Sequence, residues 1–214
     1  MTADNLIIYQ NDELIIANKP SCIPVQPDLS GDDSLLEVLE KELRCSLHLI
    51  NRIDRPVSGL VMIAKNGPTQ KKYAHYNIVK TYIAIVHQHE SISIKTLSHY
   101  HKKNSTSSKA FIENSPMSGY KPVELTIESL SQLDNYTAIK AKITSGKFHQ
   151  IRAQLAHIGA PVKGDVKYGA RRKNHDRSIM LHSYGINIKA IDLHIEHLPD
   201  QTNKLWKAAI GLLG

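Results

Sequence analysis

The sequence predicts an α+β fold with a largely antiparallel or mixed sheet. Strand-like runs outnumber helical ones, helices and strands do not alternate in a βαβ rhythm, and no segment repeats. "LIIYQNDELIIANK" reads as two short strands, Leu6–Gln10 and Glu13–Asn18, around an Asn-Asp turn. The three prolines of "KPSCIPVQPD" then impose an extended, irregular path. "SLLEVLEKEL" (34–43) predicts a helix: Ser34 caps it, Glu37 completes the S-x-x-E box, and Leu35, Leu36, Leu39 and Leu43 form an apolar face. "LVMIAK" (60–65) is an uninterrupted apolar run of strand length, "PTQKKYAHYNI" (68–78) predicts a helix opened by Pro68, and "KTYIAIVH" (80–87) predicts a strand.

The stretch 88–120 is the least readable, and "HKKNSTSSK" within it reads as a polar loop. "PVELTIESL" (122–130) and "NYTAIKAKI" (135–143) predict a hairpin. "FHQIRAQLAHIG" (148–159) predicts a short helix with Ile151, Leu155 and Ile158 on one face and Gly159 as its stop. A second hairpin in "LHSYGINIKAIDLHIEHLP" and a terminal helix in "QTNKLWKAAIGLL" complete the chain.

The 214 residues suffice for a well-buried core, and 41% hydrophobic with 22% charged residues fits an ordinary globular chain. Cys22 and Cys45 have no metal-ligand or redox spacing, as expected in a reducing cytosol. The N-terminus has no basic start, and no window reaches the roughly 18 apolar residues of a membrane span. A cytoplasmic protein without membrane contact is expected.

Charge is unevenly distributed. Residues 1–45 hold nine acids and three bases, a net of −6, whereas residues 46–214 hold eleven acids and twenty-four bases, a net of +13. Such asymmetry suggests a polyanion partner, because clustered lysines and arginines release condensed counterions when they meet phosphates. "KGDVKYGARRKNHDR" (163–177) carries six of those bases in a loop-like stretch.

Several motifs fail. "TSGKFHQ" lacks the early glycine of a phosphate loop, since that position is Ala141. The H-x-H pairs at 87–89 and 99–101 lack a third ligand at a metal-site spacing and read as solvated loops. No serine sits in a G-x-S-x-G elbow.

What survives is a constellation of Asp54, Tyr82 and Arg152. In "NRIDRPVSGL" (51–60) an extended backbone puts Arg52 and Asp54 on one face and turns Arg55 away. Guanidinium groups favour the ionised carboxylate, which suits a nucleophile better than a general acid. Arg152 falls at the rim of its helix's apolar face, about 100° from Ile151, and Tyr82 brings a ring and a hydroxyl from an apolar strand. Taken alone, these residues fit a surface salt bridge, a core tyrosine and a solvated arginine equally well.

Four blocks in order resemble the RluA-type pseudouridine synthase family: "NKPSCIPVQPD" (18–28), "NRIDRPVSGLVMIAKN" (51–66), "KTYIAIV" (80–86) and "SGKFHQIRAQLAHIGAPVKGDVKYG" (145–169). The resemblance implies a mixed, mostly antiparallel central sheet flanked by helices. Many relatives carry an extra N-terminal RNA-binding domain, for which 214 residues are expected to leave no room, so one catalytic domain over 1–214 is expected. It implies isomerisation of a uridine in transfer or ribosomal RNA to pseudouridine, with no cofactor and no metal. Asp54 would be the essential aspartate, Tyr82 would stack on the flipped base, and Arg152 would be the basic residue that pairs with Asp54. Arg52, Lys147, Lys163, Lys167, Arg171, Arg172 and Lys173 would contact RNA, and a monomer is expected. Asn51 stands where the family has histidine, and Lys147-Phe148 where Arg-Thr is common. The alternative is a non-catalytic RNA-binding protein on the same scaffold.

Overall fold

The computed structural model describes residues 3–87 and 94–211. Gln88 and His89 of the first H-x-H pair, and the last residues of the predicted terminal helix, lie outside the described residues. The chain divides into two compact units, Met1–Lys80 with His182–Pro199, and Thr81–Leu181 with Asp200–Gly214.

In order, the elements are α1 (Ala3–Leu6), β1 (Ile7–Gln10), β2 (Leu14–Lys19), α2 (Leu35–Leu43), β3 (His48–Leu49), β4 (Ser58–Ala64), α3 (Gly67–Ala74), β5 (Ile78–Val86), β6 (Lys95–Asn104), β7 (Lys109–Glu113), β8 (Lys121–Leu133), β9 (Tyr136–Ile143), α4 (Gln150–His157), β10 (Leu181–Ile188), β11 (Leu193–Glu196) and α5 (Lys204–Ile210).

In the first unit the strand order is β1-β2-β4-β10, with β11 on β10 and β3 on β4. Only β4 and β10 run parallel among these pairs, so the sheet is mixed and mostly antiparallel. Strands β2 and β4 are buried on both faces, which explains their continuous apolar runs. Leu14, Ile16, Leu60, Met62, Tyr73, Ile78, Ile186 and Ile188 form the core here. Helix α2 starts where the sequence predicts: Ser34 Oγ accepts the Glu37 N–H at 3.2 Å, and Glu37 Oε2 accepts the Ser34 N–H at 3.0 Å. Helix α3 stops earlier than predicted, at Ala74, and Ile78 already belongs to β5.

The second unit orders its strands β5-β9-β8-β6-β7, with α4 packed on β6, β7 and β8 and α5 on β8. The predicted polar loop 101–109 is instead the turn and flanks of the β6–β7 hairpin. The H-x-H histidines of this stretch are core residues of β6, contrary to the expected solvated loop. His99 Nδ1 meets Gln154 Nε2 at 3.1 Å, and His101 Nε2 donates to the Phe148 carbonyl at 2.8 Å. Leu97, His99 and His101 alternate inward with a period of two, which their polarity concealed.

Candidate active site

Asp54 lies in the first unit, half-buried, in the irregular segment that precedes β4. The expected extended strand ends in a turn: the Val57 N–H donates to the Asp54 carbonyl at 3.0 Å. Arg52, two residues earlier, is exposed. Arg55 has a structural task. Its Nε donates to the Cys22 carbonyl at 3.0 Å, its Nη1 reaches Asp28 at 3.5 Å, and its Nη2 pairs with Asp32.

Two residues of this segment's support carry signals that the sequence reading did not use. Lys19 has no solvent exposure, and its ammonium donates to the carbonyls of Pro20 (2.7 Å), Ile23 (2.9 Å) and Arg55 (3.1 Å). Burial lowers its pKa to about 7, against opposing contributions from Cys22 and Asp54. Asn51, where the chain departs from the family pattern, accepts the Met62 N–H at 2.7 Å and so closes an open ladder position of β4. The "K-P" at the end of a strand and the asparagine that opens the motif were visible, but buried charge and ladder capping are not periodic features.

Tyr82 and Arg152 belong to the second unit. Tyr82 is buried in β5, 6% exposed. Arg152 is 5% exposed, and the rim position expected from the helical wheel does not exist, because α4 is buried all round from Gln150 to Leu155. Within its unit Arg152 forks onto Asp165, Nε to Oδ2 at 2.6 Å and Nη2 to Oδ1 at 2.8 Å. Its guanidinium carbon also lies 5.1 Å from the centre of the Tyr168 ring. Asp165 was missed because it stands among the cations of a basic stretch, thirteen positions from its partner. Its carbonyl accepts from the Tyr168 and Ala170 N–H groups at 3.0 and 3.1 Å, so one residue anchors both α4 and the basic loop.

The loop before α4 is organised by Gln150. Its Oε1 accepts from Ser145 Oγ (2.7 Å) and Lys147 N (3.2 Å), and its Nε2 donates to the Glu124 carbonyl (3.0 Å). Lys147 is thereby held with its side chain exposed. His149 opens α4 in the left-handed region with φ 53°, and burial lowers its pKa to about 3. The neutral Nδ1 accepts from the Tyr168 hydroxyl at 2.9 Å, since that oxygen already accepts the Ala110 N–H at 2.7 Å.

Of the predicted RNA-contacting residues in 163–177, Arg171, Arg172 and Lys173 are exposed and Lys167 half-exposed. Lys163 differs, because its ammonium is bound inside the loop to Asn174 Oδ1 at 2.6 Å. Lys102 and Lys103 add exposed positive charge at the β6–β7 hairpin, with Lys103 Nζ 4.7 Å from the Phe148 ring centre.

The RNA pseudouridylate synthase family matches residues 13–157. The chain belongs to that family. Ribosomal large subunit pseudouridine synthase C of Haemophilus influenzae is 32% identical over 204 residues, which are 91% of this chain and 62% of that one. The Vibrio parahaemolyticus protein of the same name is 29% identical over 225 residues, 98% of this chain and 70% of that one. The chain thus spans about two thirds of the length of these curated relatives. Human RNA Pseudouridylate Synthase Domain Containing 1 superposes with a TM-score of 0.78 at 23% identity, over 98% of this chain and 89% of that one. Human RNA Pseudouridylate Synthase Domain Containing 4 does so with 0.76 at 18% identity, over 98% and 93%. The pseudouridine synthase fold is therefore shown. No helix among the described residues is long and apolar enough to cross a membrane.

Proposed function

We propose that this chain isomerises a uridine of ribosomal RNA to pseudouridine with Asp54 as its catalytic carboxylate. The observation that carries the reading is the placement of Asp54. A family-matched segment holds it at the first corner of a turn, half-exposed, beside exposed Arg52, while Arg55 is committed to Cys22, Asp28 and Asp32. Ribosomal RNA is favoured over transfer RNA because the relatives above are named for the ribosomal large subunit.

In this reaction the bond from the ribose to N1 of uracil breaks, the base turns, C5 bonds to the ribose and gives up its hydrogen as a proton, and N1 takes up a proton. Tyr82 and Arg152 keep the roles that the resemblance implies, base stacking and support of the carboxylate. The target base has to leave its stack. The exposed cations Lys147, Arg171, Arg172 and Lys173, with Arg52 and the half-exposed Lys167, are proposed to hold sugar and phosphate groups. Residues 1–214 would act as one catalytic domain, as a monomer in the cytoplasm.

Mapping pseudouridines in ribosomal RNA from cells with and without the gene tests the proposal. At least one position should revert to uridine in the deletion and return on complementation. An unchanged map would overturn the reading.

A further inference from the structure

The segment 51–57 that carries Asp54 belongs to no strand, so its position depends on where β4 begins. At that point β4 touches β10 in parallel over two pairs, Ser58 with His182 and Gly59 with Ser183. The approach is close. A Cβ on Gly59, whose φ is +110°, would lie 2.3 Å from the Ser183 carbonyl oxygen, so only glycine permits it. The Ser183 hydroxyl adds a buried bond to the Leu60 carbonyl at 3.0 Å.

His182, which pairs with Ser58 across these strands, is 1% exposed. Its Nε2 lies 2.9 Å from the His197 carbonyl and its Nδ1 2.8 Å from Ser58 Oγ. A carbonyl only accepts, so Nε2 carries the proton and Nδ1 accepts from the Ser58 hydroxyl. Burial lowers the ring's pKa to about 3, so this tautomer persists across the working pH range. The relay runs from a backbone carbonyl through a neutral ring to the first residue of β4, four positions after Asp54.

We infer that His182 is a positioning residue of the isomerase: through the Ser58 hydroxyl it fixes where the Asp54 turn joins the sheet. The inference rests on the function proposed above. The ring contributes an acceptor of fixed direction instead of a titrating group.

The variants Ser58→Ala, His182→Gln and His182→Asn separate this role from simple packing. Gln places an amide nitrogen at the Nε2 site and no acceptor beside Ser58, whereas Asn places its Oδ1 where Nδ1 stood. Activity is read as tritium released from ribosomal RNA, made in cells deleted for the gene and tritiated at uracil C5. Hydrogen exchange at the Val57 amide, which is bonded to the Asp54 carbonyl, is read in parallel. Ser58→Ala and His182→Gln should lower kcat by about tenfold to a hundredfold with KM little changed, the size expected for misplaced reacting groups. Both should speed Val57 exchange, and His182→Asn should recover both readouts. Wild-type kcat and unchanged Val57 exchange in Ser58→Ala would overturn the inference, even if the His182 variants fail to fold. A wild-type protein that releases no tritium overturns the proposed function instead, and the Val57 readout then still decides the positioning.

Discussion

Lys19 holds Arg55 by its backbone: the ammonium donates to the Arg55 carbonyl at 3.1 Å, one residue beyond Asp54 and from a site with no solvent exposure. Three carbonyls match the three donors of a protonated lysine, so backbone oxygens take the place of water around the ammonium. This clamp ties the end of β2 to the turn that bears the proposed catalytic carboxylate.

The clamp makes stability depend on pH in a definite direction. In the folded chain Lys19 titrates at about 7, mainly through burial, whereas an unfolded lysine titrates near its usual value of about 10.4. Between these values the unfolded chain binds more protons, so stability rises with pH. Measured by urea denaturation against Lys19→Met, the wild type should gain about 1.4 kcal/mol per pH unit across this window. A difference that stays flat would contradict the buried, partly discharged state.

Arg152 and Asp165 are 5% and 1% exposed at their side chains and joined by two bonds. Asp165→Asn should cost about 3–5 kcal/mol, because it removes the charged half of a buried, doubly bonded pair. Replacing both partners with apolar residues, Arg152→Met with Asp165→Leu, should recover much of that loss while abolishing activity. Denaturation of the single and double variants checks this, and a single variant as stable as the wild type would refute it.

The exposed cations of the basic loop should appear in the salt dependence of RNA binding. Replacing Arg171, Arg172 and Lys173 with alanine should reduce the slope of log K against log salt by about 2 to 3, at about 0.7 to 0.9 per phosphate contact. Lys163→Ala should leave the slope nearly unchanged, because that ammonium serves Asn174 within the loop. An unchanged slope in the triple variant would remove this loop from the RNA interface.

Legibility followed the range of the interactions. The start of α2 was readable because the capping box is local, with Ser34 and Glu37 three positions apart. Strand β4 was readable because burial on both faces writes a continuous apolar run. The β6–β7 hairpin was not, since its inward positions include His99 and His101, whose burial depends on Gln154 and Phe148 of the distant α4 region. Asp54, Tyr82 and Arg152 could be named from motifs. Their supports could not: Lys19 is explained by carbonyls up to 36 positions away, and Ser58 by a histidine 124 positions away. Such partners are created by the fold and leave no periodic trace.

The most direct measurement is tritium release from C5-labelled ribosomal RNA by Asp54→Ala and Asp54→Asn, alongside their RNA affinity. Both variants should lose turnover by more than about a thousandfold, as expected when the group that acts on the substrate is removed. Both should bind RNA as tightly as the wild type or more so, because a negative charge near phosphates is gone. Turnover near the wild-type rate in either variant would contradict the assignment of Asp54 as the catalytic carboxylate.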